Sequence, residues 1–272
     1  MADSEQLTVV GAGGVRLSWE QAGSGTPIVL LHGLTATRRY VLMGSKTLER
    51  SGHRVIAYDA RGHGHSNPAP TPDAYTYELL AKDLQAVLDR LEVEQAVLAG
   101  ASMGAHTALR FALDRPDRVL ALGLITPAFD PDTHGEDSYA SWDRLARGLR
   151  AEGVEGFVDA YDLDPIPERF RETVEKVLRQ RLSAHDHPLA VADALQAVPR
   201  SRPFEHWDEL RSVEVPTVVI ASRDEADPTH PLAVGERYAA AIPGAKLAVE
   251  EPGSSPIAWQ GGQLSRVLAE LA

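Results

Sequence analysis

The chain has 272 residues, 24% of them charged, with a formal net charge of −12 and no cysteine. That length suits one large domain or a domain carrying an insertion, and the missing cysteine excludes disulfides, thiolate nucleophiles and Cys-ligated zinc. The acidity argues against a nucleic-acid partner or an anionic membrane surface, because neither would gain from counterion release or basic-patch attraction.

From the N-terminus, MADSEQLTVV lacks the basic and apolar regions of a signal peptide, so a cytoplasmic location is expected. No apolar run approaches the length of a membrane span. LTVV and VRLSWE, separated by GAGG, predict a hairpin. PIVLLH (27–32), RVIAYD (54–59), QAVLAG (95–100), RVLALGLIT (118–126), PTVVIAS (216–222) and KLAVE (246–250) follow. Such continuous apolar runs are the mark of parallel strands buried on both faces. Helical periodicity falls between them, at about 38–50, 76–91, 103–114, 231–241 and 262–271. Between Thr126 and Pro216 the pattern is helical, broken by Pro and Gly, with no convincing strand. The stretch is too long for a loop, so it predicts a helical insertion sitting on the sheet.

The first chemical signal is Gly100-Ala101-Ser102-Met103-Gly104, a G-x-S-x-G run between a strand and a helix. A serine on that tight turn is exposed as a nucleophile. The helix start then aims free N–H groups, including that of Met103, at developing negative charge. The bland alternative is a capping serine in a Gly-rich turn. VLLHGL ends a strand at His32-Gly33, which makes the N–H of Leu34 a second oxyanion donor. In AYDARGHGHS, the polar groups of Asp59, Arg61 and Ser66 are expected to brace a loop. Arg38 and Arg39 either lie exposed on a helix or present one guanidinium to a substrate carboxylate or enolate.

Taken in order, HG, D-x-R-G-H-G-x-S, G-x-S-M-G, a helical insertion, then a strand followed by Asp resemble the α/β-hydrolase superfamily. The small serine esterase, enol-lactonase and C–C-hydrolase branch is the most similar. The resemblance covers nearly the whole chain. It implies an α/β fold with an eight-stranded, mostly parallel sheet flanked by helices, and a helical cap inserted after the sixth strand. The core would be 1–127 and 211–272, and the cap 128–210. It also implies Ser102 as nucleophile, Leu34 and Met103 as oxyanion donors, and an acid in the loop after PTVVIAS. Asp224, Glu225 and Asp227 share that loop, and both aspartates stand four residues before a proline. The register of the following helix favours Asp227, with Asp224 the alternative.

The family's histidine belongs in a G-H-S-P-like turn after the last strand. Here the turn reads Gly253-Ser254-Ser255-Pro256, which places Ser254 at the histidine position. A hydroxyl is not basic near neutral pH and cannot replace an imidazole. Either another of the ten histidines serves or none does. His230, three residues after Asp227, His106, one helical turn after Ser102, and His32 are the candidate bases. His63, His65 and the insertion's His134, His185, His187 and His206 are weaker ones. The leading expectation is a serine hydrolase of small carboxylic esters, lactones or related carbonyl compounds with a relocated base. One alternative is a triad-deficient protein of the same fold that binds a small molecule or promotes a non-hydrolytic reaction. Another is that Ser254 replaces a native histidine. The partner is then a small molecule. No cofactor is expected, and no metal, since no HExxH-like pair is present.

Overall fold

The computed structural model describes residues 8–271, so Leu7 of the predicted first strand lies outside the described residues. β1 (Thr8–Val10) and β2 (Arg16–Ala22) form the predicted antiparallel hairpin, with Thr8 opposite Ser18. β3 (Thr26–Leu31) follows. The helix expected over 38–50 is broken. A 3-10 turn covers Arg38–Tyr40 and the four-residue α1 covers Thr47–Arg50. Met43 and Gly44 between them take φ of 49° and 77°, a left-handed turn that no α-helix accommodates.

Next come β4 (His53–Tyr58), α2 (Tyr77–Arg90), β5 (Ala96–Ala101), α3 (Met103–Asp114) and β6 (Val119–Ile125). The Thr76 hydroxyl caps α2 by accepting the Leu79 N–H. α4 (Glu136–Ala160), α5 (Glu168–Leu182) and α6 (Pro188–Ala197) occupy the stretch before β7 (Thr217–Ala221). α4 kinks at Glu152 and Gly153, one of the glycine breaks in the helical pattern. α7 (Leu232–Ala241), β8 (Lys246–Val249) and α8 (Gly261–Ala269) complete the chain. Among the described residues no helix is long and apolar enough to cross a membrane.

The eight strands form one sheet in the order β1-β2-β4-β3-β5-β6-β7-β8. β2 is antiparallel to β4, and every pairing from β4 to β8 is parallel. The alternation of side chains along each strand divides the core into two layers. In β3, Val29 and Leu31 pack with Leu84 and Leu88 of α2 and Phe111 of α3. Ile28 and Leu30 pack on the other face with Leu48 of α1 and Leu264 and Leu268 of α8. Each such buried side chain contributes about 1.5–3 kcal/mol relative to exposure. A third apolar cluster joins the inserted helices to the sheet's C-terminal rim. Leu145, Phe157, Leu182 and Val191 meet Leu34, Tyr77 and Met103 there. Both residues expected to donate to an oxyanion therefore sit directly beneath the insertion.

Candidate active site

Ser102 stands between β5 and α3 with φ 51° and ψ −113°. A non-glycine residue held there stores backbone strain, and such strain concentrates at functional turns. The flanking glycines are sterically required. A Cβ on Gly100 would lie 2.2 Å from the Gly104 carbonyl carbon, and one on Gly104 would lie 2.2 Å from the Leu31 oxygen. The Ser102 side chain makes no capping hydrogen bond to the helix, contrary to the bland reading of this turn.

Leu34 lies in the turn Gly33–Ala36, closed by a 3.0 Å bond from the Ala36 N–H to the Gly33 oxygen. This turn abuts the nucleophile: a Cβ built on Gly33 would stand 3.6 Å from the Ser102 Cβ. Among the described residues, the amides of Leu34 and Met103 donate to no other group. Two free donors beside a half-buried hydroxyl are what a developing oxyanion requires.

Of the three histidines considered as base, the structure brings His230 to Ser102. Its Nε2 lies 2.9 Å from the Ser102 Oγ, and its Nδ1 lies 2.8 Å from both oxygens of Asp227. A carboxylate at Nδ1 fixes the proton there, which leaves Nε2 free to accept from the serine. The Thr229 hydroxyl donates to Asp227 at 2.7 Å. Burial pushes the Asp227 pKa up, but His230, the Thr229 hydroxyl and the charge of Arg181 outweigh it. The carboxyl is held well below its ordinary range. Asp227 and His230 thus come from one loop, three residues apart, between β7 and α7.

The other candidates are corrected. His32 is buried with both nitrogens engaged: Nδ1–H donates to the Gly33 oxygen at 2.8 Å and Nε2 accepts from Ala60 N–H at 2.9 Å. Nε2 of His106 accepts from the N–H groups of Ala128 and Phe129, each at 3.1 Å, and its Nδ1 meets the Tyr77 hydroxyl at 3.0 Å. Burial lowers the His106 pKa to about 3, so it stays neutral in place. Arg38 is engaged within the protein. Its backbone N–H and its guanidinium both bind Asp59, and its Nε lies 3.3 Å from Glu20. Arg39 is exposed on the 3-10 turn. Arg61 pairs with buried Asp83 through two 2.7 Å bonds, and Ser66 bonds the Asp59 carbonyl, so this loop is braced as expected.

Asp224 organises the loop instead. Its carboxylate accepts from Ala226 N–H at 2.9 Å and from Ala258 N–H at 3.0 Å. The Ser254 hydroxyl donates to the Glu251 carbonyl at 2.7 Å, within its own turn.

An alpha/beta hydrolase fold model matches residues 26–261. The chain belongs to the alpha/beta hydrolase fold family. Over 246 residues it is 30% identical to a 2-hydroxy-6-oxononadienedioate/2-hydroxy-6-oxononatrienedioate hydrolase of Cupriavidus pinatubonensis, covering 85% of this chain and 81% of that one. It is 37% identical to Epoxide hydrolase 2 of Siraitia grosvenorii over 118 residues, 42% of this chain and 36% of the relative. The chain spans only about a third to a half of several curated relatives that it matches. Among solved structures, a malate-bound thermophilic esterase from Thermogutta terrifontis superposes with a TM-score of 0.77 at 26% identity. It covers 98% of this chain and 97% of that one. The protein is therefore a hydrolase enzyme of this family.

One feature of this hydrolase's site escaped the sequence reading. Arg181, at the end of α5, has its Nε sealed from solvent without a hydrogen-bond partner, and its guanidinium lies over the Tyr40 ring, 5.8 Å from the centroid. Its charge lowers the pKa values of Asp227, His32 and His185. A helix-surface arginine in an amphipathic run carries no sign of this in the sequence. Only the seating of α5 over the rim turns it toward the site, where it offsets some of the chain's negative charge.

Proposed function

We propose that this hydrolase cleaves small carboxylic esters, lactones or related carbonyl compounds through Ser102, with His230 as a relocated base and Asp227 as its acid. The observation that carries this reading is the continuous hydrogen-bond chain from Ser102 Oγ through His230 to the Asp227 carboxylate. As Oγ attacks the substrate carbonyl, His230 Nε2 takes its proton. Asp227 stabilises the resulting imidazolium and keeps the ring oriented. The N–H groups of Leu34 and Met103 receive the oxyanion. His230 then returns the proton to the leaving oxygen, and a water molecule repeats the sequence to free the acyl group. The alternative of a fold without a base rested on the absence of histidine from residue 254, and the position of His230 weighs against it.

Incubation with a fluorophosphonate probe tests the reading. Ser102 is expected to be labelled in the wild type and far more slowly in His230→Ala. A folded wild type that stays unlabelled at high probe concentration would overturn it.

A further inference from the structure

We propose that His185, contributed by the inserted segment between α5 and α6, is a positioning residue that fixes the turn carrying the Leu34 oxyanion donor. The proposal deepens the hydrolase reading above and rests on it.

In the turn Gly33–Ala36, three successive carbonyl oxygens are each met by a different imidazole. His32 Nδ1 lies 2.8 Å from the Gly33 oxygen, His63 Nε2 lies 2.5 Å from that of Leu34, and His185 Nε2 lies 3.2 Å from that of Thr35. The three rings pack together, with centroids 5.2 Å apart for His32 and His63 and 5.5 Å apart for His63 and His185. His63 Nδ1 also faces the Arg61 oxygen at 2.9 Å, and a neutral ring donates to only one of its two carbonyls; the planes of the Gly33 and Thr35 oxygens are held from outside by His32 and His185. A flip of the Gly33–Leu34 plane would turn the Leu34 N–H away from the oxyanion, and a flip of the Thr35–Ala36 plane would break the Ala36 N–H bond to the Gly33 oxygen that closes the turn. An oxyanion donor works only if it is already aimed when charge develops.

His185 differs from the other two. His32 and His63 belong to the loops that follow β3 and β4, whereas His185 descends from the insertion. Its Nδ1 accepts the Gly64 N–H at 2.8 Å, which fixes the proton on Nε2, the nitrogen that donates to Thr35. Burial lowers its pKa to about 3, so this tautomer persists at neutral pH. The neighbouring residue strengthens the attachment: Asp186 N–H donates to the Gly64 oxygen at 2.9 Å, and its carboxylate pairs with His65 at 2.9 Å. The seating of the insertion is thus wired to the aim of Leu34.

Two near-isosteres separate the two bonds. In His185→Gln the amide N–H₂ reaches roughly where Nε2 stood and keeps the Thr35 bond. In His185→Asn the side chain can reach only Gly64. With a 4-nitrophenyl ester, His185→Asn and His185→Ala are expected to lose about 10- to 100-fold in kcat with KM little changed, while His185→Gln retains most of the wild-type rate. Amide hydrogen exchange at residues 34–36 should quicken in Asn and Ala but not in Gln. Equal kcat in Asn and Gln, a loss confined to KM, or unchanged exchange in Asn would overturn the proposal. If Ser102→Ala hydrolyses the ester as fast as wild type, the hydrolase reading fails instead, and the exchange comparison still decides whether His185 holds the turn.

Discussion

The loop after β7 and the turn after β8 lie side by side on the sheet's rim, and they have divided the work in an unusual way. The β7 loop carries both Asp227 and His230. The β8 turn, where the family resemblance places a histidine, carries Ser254 bonded only within its own turn. What the β8 turn does instead is hold its neighbour. The Ser255 hydroxyl accepts from Glu225 N–H at 2.9 Å, the Ala258 N–H reaches Asp224, and buried Glu250 accepts from Ser222 and from Arg223 N–H. With His230 as the proposed base, the β8 turn serves as a buttress for the loop that carries it. An acid and base only three residues apart depend on that support, because a small change in the turn would break both hydrogen bonds at once.

The largest expected effect sets the two loops against each other directly. His230→Ala should lower kcat on an activated ester by on the order of 10⁵- to 10⁶-fold, as removal of a triad histidine does elsewhere. Ser254→Ala should leave kcat within about twofold, since exposed or turn-local hydroxyls contribute little. Steady-state kinetics on the two variants checks this, and comparable losses in both would break the division of labour.

The next contrast lies within the β7 loop. Asp227→Asn should cost about 10⁴-fold in kcat with the fold intact, because the wrong histidine tautomer is then favoured. Asp224→Ala should act mainly on stability. It removes the acceptor for two backbone N–H groups, a loss of about 1–3 kcal/mol, with kcat reduced less than about tenfold. Thermal melts beside the kinetics separate the two. If Asp224→Ala proved the more damaging to kcat, the acid assignment would be reversed.

Most of the fold was legible because buried parallel strands are long apolar runs and the elbow's glycines are obligatory. The break of 38–50 into a 3-10 turn and a short helix was not, since it depends on Met43 and Gly44 adopting positive φ in a stretch with helical periodicity. The strained turn at Ser102 and the turn carrying Leu34 were equally legible from strand–turn–helix context. The candidate base was legible only as a set of histidines. His230, His106 and His32 were all near Ser102 along the chain or the topology, and what separates them is which ring turns a nitrogen to Ser102. His32 and His106 spend both nitrogens on backbone and hydroxyl partners. That is a property of packing, invisible to spacing. The same holds for Arg181 and His185, which reach the rim only through the seating of the inserted helices.

The contrast between working and bracing residues extends to pH. His32, His63, His106 and His185 are all buried, and burial is the leading cause holding each pKa below the ordinary 6.5, to about 3 for His106 and His185. In the folded protein these rings stay neutral as the pH falls below 6.5, while in the unfolded chain they take up protons. The unfolded state therefore binds more protons in that window, and stability must fall with falling pH. The stabilisation is complete above about 6.5 and drains away toward pH 3, at up to about 1.4 kcal/mol per pH unit for each such histidine. Denaturant titrations from pH 7 down to pH 4 should show this slope. His106→Leu should make it shallower by about one histidine's share, even though the variant is less stable at pH 7 for want of an acceptor at Ala128 and Phe129. A stability profile that stays flat from pH 7 to pH 5 would mean that these rings are not held neutral in the folded protein.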